Sequence, residues 1–164
     1  MKLQSSDGAL VGLVPVRYQF PDIGGLGPNA DYDWDANWLV IRGDAQMADG
    51  RKWSFEDACL TTWEARELCS WLRGVVAGVV KPTRFDEEVL KVFTEPSVAF
   101  SLAARDDTRA TIRVHFSLEA RPPWLPEVDP GGLFEFFIEV SAALADFAVA
   151  VDEWERELVA FPVR

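Results

Sequence analysis

Strict alternation of apolar and polar residues from Thr111 to Glu119 predicts a half-buried β-strand with one face on a core. The same alternation places His115, between Arg113 and Ser117, on the face that points to solvent. The residues expected to face the core are Ile112, Val114, Phe116 and Leu118.

Five further segments have strand patterns. Asp49-Gly50 and Asp106-Asp107 are favoured turn sequences that predict hairpins between neighbouring strands. A change of phase after Phe55 predicts a bulge near Glu56. The predicted strands are Leu10–Phe20, Asn37–Gln46, Arg51–Leu60, a strand through Val98, Phe100 and Leu102, and a strand through Phe134, Phe136, Ile138 and Val140.

Two segments have helical periodicity. Thr61 and Glu64 have the spacing of a capping box, and Pro82 is expected to end the helix that follows. Ser141 is expected to cap the second helix, which Pro162 ends. The apolar stripes are Leu68, Leu72, Val75 and Val79 in the first helix, and Leu144, Phe147, Ala148, Val151, Trp154 and Leu158 in the second.

Alternating strands joined by short turns indicate an antiparallel sheet. The sequence therefore predicts an α+β fold, with about six strands and two helices packed on one side of the sheet. The chain has 164 residues and contains no linker or repeat, so we expect residues 1–164 to form a single domain.

The formal net charge of −11 and the pI of about 4.5 argue against binding to nucleic acid or to anionic membrane surfaces, and they favour basic partners. Cys59 and Cys69, with the single histidine, are too few for a structural zinc site, and we expect free thiols in a reducing cytosol. No apolar run has the length of a signal peptide or a membrane span, which predicts a cytoplasmic protein.

The sequence offers no recognisable catalytic set. His115 lies in a strand without a glycine-rich elbow nearby, so we expect a surface residue rather than a general base. The glycines of residues 24–27 are followed by Pro28 and acidic residues, which would repel a phosphate. Glu135 and Glu139 would lie roughly 13 Å apart along a strand, beyond the separations used by glycosidases. We therefore expect a non-catalytic protein without a cofactor.

Asp31, Asp33 and Asp35 alternate with aromatic residues like the start of a calcium loop, but Ala36 replaces the required glycine and Arg42 replaces the bidentate glutamate. In an extended segment the three carboxylates would lie on one side. Three interpretations stay open: a solvated acidic loop, a partner-binding edge, and a metal site.

Two aromatic residues stand out from the core pattern. Phe137 lies between Glu135 and Glu139 on a charged strand face, where it either packs under a loop or contacts a partner. Trp124 is flanked by prolines in a loop and is the tryptophan that we least expect to be buried.

The order of elements around one pentapeptide resembles the WapI family of bacterial immunity proteins. In this order an acidic, aromatic loop leads into a strand, and a second strand ends in a Thr-x-x-Glu-capped helix. Two further strands follow, and then a Phe-rich strand that leads directly into a C-terminal helix. The resemblance implies a small cytoplasmic protein that neutralises a cognate secreted toxin, with no catalytic residues. The segment 122–132 and the acidic end of the last helix depart from the family. The pentapeptide is Asp35-Ala36-Asn37-Trp38-Leu39.

Taken together, these features predict a binding protein whose partner is a basic toxin domain. The expected contact residues are Asp31, Asp33, Trp34, Asp35, Trp124, Glu135, Phe137 and Glu139.

Two alternatives stay open. One is a small-molecule-binding domain or enzyme with a pocket lined by Trp38, Trp53 and Phe55. The other is a scaffold subunit whose acidity serves solubility. A homodimer through a sheet edge is compatible with each of these functions.

Overall fold

A computed structural model of the chain describes residues 1–23, 33–84, 87–126 and 132–164. The strands are β1 Lys2–Gln4, β2 Leu10–Tyr18, β3 Trp38–Gln46, β4 Lys52–Thr61, β5 Val98–Arg105, β6 Arg109–Phe116 and β7 Phe137–Ala143. The α-helices are α1 Trp34–Asn37, α2 Thr62–Val76 and α3 Leu144–Leu158, and a 3-10 turn spans Leu118–Ala120.

All strand pairs in the described residues are antiparallel, in a four-stranded sheet of order β1-β2-β3-β4 and a three-stranded sheet of order β5-β6-β7. This confirms the predicted α+β fold with antiparallel pairing. The predicted number of elements was approximate, because the described residues contain seven strands in two sheets and a one-turn helix, α1, in addition to the two long helices. The unpredicted strand β1 has only three residues, too few to show a period.

Both predicted hairpin turns are present. Gly50 adopts a φ of 89°, which favours glycine, and the Asp49 carboxylate accepts a hydrogen bond from the Arg51 amide at 3.0 Å. In the second turn the Asp106 carboxylate accepts hydrogen bonds from the amides of Thr108 and Arg109, at 2.7 and 2.8 Å. These amide contacts hold the pKa of Asp106 below its usual value.

The bulge predicted near Glu56 is confirmed. Arg42 pairs with Glu56 and Ile41 with Asp57, and the register then shifts before Leu39 pairs with Leu60. The irregularity begins just after Glu56, where the change of phase along the sequence predicted it.

The capping box at the start of α2 is confirmed. The Thr61 hydroxyl accepts from the Glu64 amide, and the Glu64 carboxylate accepts from the Thr61 amide at 2.8 Å. The helix ends at Val76, ahead of Gly78 with its φ of 73°. The expectation that Val79 continues the buried stripe was therefore wrong, since Val79 lies beyond the helix and is exposed.

The expected cap of the C-terminal helix was also wrong. Ser141 lies within β7, and α3 begins only at Leu144 after Ala143, which provides no side-chain cap. The Leu144 amide instead donates to the carbonyl of Thr108 in the neighbouring turn at 2.8 Å. A strand that runs directly into a helix needs no polar cap when an adjacent loop supplies the acceptor.

One hydrophobic cluster includes side chains from both sheets and both long helices. Trp53 of β4 packs edge-on against Phe116 of β6, with ring centroids 5.1 Å apart, and thereby joins the two sheets. The fully buried Trp154 joins the helices, because its indole N–H donates to the Ala65 carbonyl at 2.9 Å.

The structure does not bring together the three residues of the expected pocket, because Trp38 pairs with Thr61 at one end of β4 and Trp53 lies near the other end. Trp53 and Phe55 are each 8% exposed, and both rings contact Phe116. A packed aromatic core at this place argues against the small-molecule alternative, which required an open pocket.

Gly43 on β3 provides a direct test of this packing. A Cβ atom at this position would lie 2.1 Å from the Phe55 ring, whereas one at Gly12 meets no atom closer than 3.7 Å. We expect Gly43→Ala to lower the free energy of unfolding by about 1–3 kcal/mol through overpacking, and Gly12→Ala to change it by less than about 1 kcal/mol. Urea denaturation of both variants checks this, and equal effects would contradict the packing described.

Candidate partner-binding surface

The termini of three strands, β2, β3 and β4, lie together at one end of the four-stranded sheet. Tyr18 near the end of β2 pairs with Leu39, and Trp38 at the start of β3 pairs with Thr61 at the end of β4. The segments that adjoin these strand ends carry apolar side chains that reach the surface. We call this set the aromatic corner; it consists of Phe20, Ile23, Trp34 and Trp63.

Trp34 dominates the exposed area of the aromatic corner. Its side chain is 50% exposed, and the half-buried Trp63 supports it edge-on with ring centroids 4.8 Å apart. Trp124 was expected to be the least buried tryptophan, but at 37% exposure it is more covered than Trp34.

The acidic residues next to Trp34 lie in a helical turn, so the extended arrangement considered for them was wrong. Asp33 is the N-cap of α1, and its carboxylate accepts from the Ala36 amide at 3.1 Å. Asp35 lies exposed in the first turn of α1. Asp31 lies outside the described residues. Asp33, Trp34 and Asp35 thus form one aromatic and acidic surface.

Asn37 fixes this turn from below. Its side chain is fully buried and makes four hydrogen bonds. The amide nitrogen donates to the carbonyls of Asp33 and Arg164, both at 2.8 Å. The amide oxygen accepts from the Thr62 hydroxyl at 2.7 Å and from the Arg164 amide at 3.0 Å. Sequence reasoning did not assign this role, although Asn37 is the polar centre of the pentapeptide that carries the family resemblance.

The segment after α3 completes the support of the aromatic corner. The Arg164 guanidinium lies over the Tyr18 ring, 3.5 Å from its centroid, and donates to the carbonyls of Pro21 and Ile23. Arg66 of α2 donates to the Phe161 carbonyl at 3.0 Å. The exposed residues that follow β2 are therefore attached to the same framework as Trp34.

Trp124 lies at the opposite end of the β3–β4 hairpin. It packs on Trp53, eight residues and roughly 26 Å along the strand from Thr61. The Arg51 guanidinium lies 5.5 Å from its ring centroid. The structure therefore separates Trp124 from the Trp34 surface, although both were predicted as partner contacts.

The third predicted group lies at β7. Glu135 and Glu139 are exposed, as expected for the outer face of a sheet, and Phe137 is half-buried. The Arg113 guanidinium lies 5.1 Å from the Phe137 ring centroid and donates to Glu139 at 2.9 Å. Phe137 and Glu139 are thus already engaged by a cation of the same chain.

His115 is buried, and the expectation of a solvent-facing position was wrong. Alternation predicted the face correctly, but the rings of Phe134 and Phe137 and the side chain of Glu88 cover that face of the sheet. His115 is 1% exposed, and burial lowers its pKa. Periodicity along one strand carries no information about a distant segment that crosses over it.

The surroundings of His115 contain a serine and a carboxylate in an arrangement unlike a catalytic triad. The imidazole Nε2 lies 3.1 Å from the Ser101 hydroxyl oxygen, but that hydroxyl donates to Glu88. Ser101 and His115 are both fully buried, so a substrate has no access to them. Although burial raises the pKa of Glu88, hydrogen bonds from Ser101 and Arg113 hold it below its usual value.

The same histidine stabilises a strained backbone. Phe134 adopts a φ of 68°, unfavourable for a residue with a large side chain. Its carbonyl accepts from His115 Nδ1 at 2.7 Å, and its amide donates to the Ser117 hydroxyl at 2.7 Å. The backbone amide and carbonyl of Phe134 are therefore both hydrogen-bonded to buried side chains at the C-terminal end of β6.

Other reactive groups form no site in the described residues. No group of three or more His, Cys, Asp or Glu side chains there is arranged to hold a metal ion. Cys59 and Cys69 are free and buried, and burial raises the pKa of both thiols, that of Cys69 to about 11. Among the helices of the described chain, none is long and apolar enough to cross a membrane.

Comparison with known proteins agrees with the resemblance seen in the sequence. A model of the WapI-like immunity protein family matches residues 2–162, nearly the whole chain, so the chain belongs to this family. Neither the curated proteins nor the solved structures contain a significant match. Family membership supports a toxin-neutralising immunity role in general, and it implies a toxin as protein partner.

Replacement of Asn37 tests its role beneath Trp34. We expect Asn37→Ala to lower the free energy of unfolding by about 2–4 kcal/mol, because buried donors and acceptors lose their partners. Gln46→Ala is the matched control, since this amide makes one hydrogen bond, to the Gly8 carbonyl. Its expected cost is about 1 kcal/mol or less. Urea denaturation measures both, and equal losses would show that Asn37 has no special role.

The burial of His115 predicts a pH dependence of stability. Because its pKa in the folded protein lies below the ordinary 6.5, the unfolded chain binds the proton first as the pH falls. Stability should therefore decline below about pH 6.5, with a slope of at most about 1.4 kcal/mol per pH unit for one proton. The charged groups that act on the ring are Glu88, whose carboxylate lies 3.6 Å from Nε2, and Arg113.

Chemical denaturation between pH 7.5 and pH 5 measures this slope in the native protein and in His115→Gln. The chain contains one histidine, so the variant should lose the slope in this range. An unchanged slope in the variant would assign the pH dependence to carboxylates instead.

Proposed function

We propose that the protein binds and neutralises a basic toxin domain, and that the aromatic corner with Asp33 and Asp35 is the principal contact surface. One observation supports this choice. The most exposed tryptophan, Trp34, is flanked in sequence by two carboxylates that form no ion pair in the described structure. Membership in an immunity family supplies the class of partner.

Charge supports the basic character of the partner. The net charge of −11 produces a negative potential that accelerates the approach of a cationic protein. Arg113 forms ion pairs with Glu88 and Glu139, and Arg73 forms ion pairs with Asp152 and Glu155. The carboxylates of Asp33 and Asp35 have no such partner within the described residues and are free to pair with lysine or arginine on another protein.

Geometry supports Trp34 as the central contact. Tryptophan is enriched among the residues that dominate binding energy when they are buried at the centre of an interface. Trp34 packs edge-on against Trp63, and Asn37 donates to the backbone carbonyl of Asp33 in the same turn. Both contacts reduce the conformational freedom that binding would remove, which suits an interface anchor.

The remaining predicted contacts, Trp124, Glu135, Phe137 and Glu139, are proposed as secondary. Arg51 covers Trp124, and Arg113 covers Phe137 and pairs with Glu139, so a partner would have to displace an internal cation at these positions. Glu135 is exposed but lies apart from the aromatic corner.

Capture of the partner tests the function directly. The tagged protein is used to retrieve partners from its own producer strain at low and at high salt, and a captured toxin is then tested for loss of toxicity on co-expression. We expect one basic toxin fragment that is retained at low salt and released at high salt. An empty eluate under both conditions, or a captured toxin that stays toxic, would refute the proposal.

The role of the acidic residues is tested by association kinetics with that toxin. We expect Asp35→Lys to slow association at low salt by about fivefold or more, and the difference from the native protein to shrink at high salt. Asp107→Lys in the β5–β6 turn changes the net charge equally at another exposed position and serves as the control. Equal effects of both variants would assign steering to total charge rather than to this surface.

A further inference from the structure

The outer strands of the two sheets differ in how far their free edges are covered. Along β5, Phe100 exchanges backbone hydrogen bonds with Lys91, at 2.7 and 3.0 Å. Along β7, the Ser141 amide donates to the Ser5 hydroxyl, and the Ser141 carbonyl accepts from the Arg109 guanidinium. The outer strand β1 has only three residues. The remaining outer strand is β4, and an uncovered strand edge is a place where another chain can pair.

The outer edge of β4 is open within the described residues. The Met47 amide donates to the Arg51 carbonyl at 2.8 Å, and the antiparallel register continues from this pair along β3 and β4. Hydrogen-bonded and non-bonded pairs alternate in such a ladder, so Trp53 and Phe55 direct their backbone groups toward β3. The backbone groups of the alternate residues point away from β3 and form no hydrogen bond with a described residue. These alternate residues, all with exposed side chains, are Lys52, Ser54 and Glu56.

The side chains along this edge are complementary to themselves. The sequence of residues 51–57 is Arg-Lys-Trp-Ser-Phe-Glu-Asp, with two cations at one end, two carboxylates at the other, and an aromatic residue on each side of Ser54. In an antiparallel pair of two copies with the two-fold axis at Ser54, position 52 of one copy lies opposite position 56 of the other. Each cation is then opposite a carboxylate, and each aromatic residue is opposite an aromatic residue.

The register that matches these charges also matches the hydrogen bonds. Since the residues that face outward are 52, 54 and 56, a two-fold axis at Ser54 places each of them opposite another outward-facing residue. Charged residues on an outer strand commonly prevent pairing with another chain. Here the charges are ordered so that a second copy meets the opposite charge.

We propose that the outer edge of β4 is the docking site for a second copy of the chain, and that the two copies join their four-stranded sheets into one antiparallel sheet. About six backbone hydrogen bonds form between the copies, together with two ion pairs that join Lys52 of one copy to Glu56 of the other. Lys52 forms no ion pair within the described residues, and Glu56 pairs with Arg17 at 3.1 Å where both side chains are about half exposed.

The dimer is expected to be weak. Few residues pair along the edge, and two chains that each carry a net charge of −11 repel one another at long range. The inference does not depend on the proposed function, since Ser54 lies toward the opposite end of β4 from Thr61 and the aromatic corner. The outer pair of positions 51 and 57 contributes less, because Arg51 already pairs with Asp49 in the same chain.

Sedimentation equilibrium of the full chain tests the dimer. At physiological salt the average mass should rise from that of one chain, 18.3 kDa, toward twice that value, with a dissociation constant of about 10–100 μM. Lys52→Glu and Glu56→Lys should each weaken the dimer about tenfold or more, because both ion pairs become pairs of like charge. Lys2→Glu in β1 changes the net charge as Lys52→Glu does and is the matched control, which should dimerise like the native protein.

A mixture of the two variants separates pairing from loss of folding. Lys52→Glu and Glu56→Lys should be monomeric alone and should form a mixed dimer together, because the mixture restores opposite charges at both ion pairs. The double variant Lys52→Glu, Glu56→Lys should also dimerise. A native chain that stays monomeric at about 1 mM would overturn the proposal. A native dimer that the single variants leave intact, or a mixture that stays monomeric, would overturn it as well.

Amide hydrogen exchange followed by NMR locates the interface independently. The amides of Lys52, Ser54 and Glu56 should exchange at least about twofold more slowly at 1 mM than at 50 μM protein, whereas those of Trp53 and Phe55 are bonded to β3 at both concentrations. Concentration-dependent protection in β1 instead of β4 would assign the dimer to another edge and refute the docking site. A toxin that binds the monomeric Lys52→Glu variant as it binds the native protein would leave the proposed function unaffected.

Discussion

The buried amide of Asn37 is the interaction on which the arrangement of the aromatic corner depends. A polar side chain without exposure is tolerated only when all its donors and acceptors are used, and here both polar atoms make two hydrogen bonds. Those bonds connect α1, the first residue of α2 and the segment after α3. The pentapeptide around Asn37 thereby gains a physical explanation: Ala36 and Leu39 are fully buried beside it, while Asp35 stays at the surface.

A second constraint is that only some of the carboxylates are paired with a cation. Several lysine and arginine side chains bind carboxylates and rings of the same chain, as Arg73 does with Asp152 and Glu155. Since 27 acidic residues face 16 basic ones, compensation cannot extend over the whole surface. Exposed ion pairs contribute little to stability. Their main consequence here is that negative charge stays unpaired only at the carboxylates that lack such a partner. Unpaired negative charge of this kind would attract a cationic partner such as the one proposed.

The sequence contained enough information for most of the fold. Periodicity and turn residues identified six of the strands in the described chain, and the capping box located the start of α2, because these signals are local. The failures concern contacts between distant segments. His115 is buried because Glu88 and two rings cover its strand face, and Ser141 is not a cap because the Thr108 carbonyl satisfies the helix start. Sequence analysis predicted Trp34 as a contact residue, but only the structure shows that its ring packs on Trp63 and that Asn37 holds its turn.

Association and retention of a partner depend on different features of this molecule. Long-range attraction scales with net charge and is screened by salt, so it governs the rate of encounter rather than the lifetime of the complex. Lifetime depends on groups that are fixed before contact. In the described structure the Trp34 ring packs edge-on against Trp63, and Asn37 holds the backbone of the turn that carries Trp34. Under the proposed function, the acidic residues next to Trp34 would set the rate of encounter, whereas the packing of the Trp34 ring on Trp63 would set the lifetime of the complex. Rate and lifetime would then depend on different residues of the same surface.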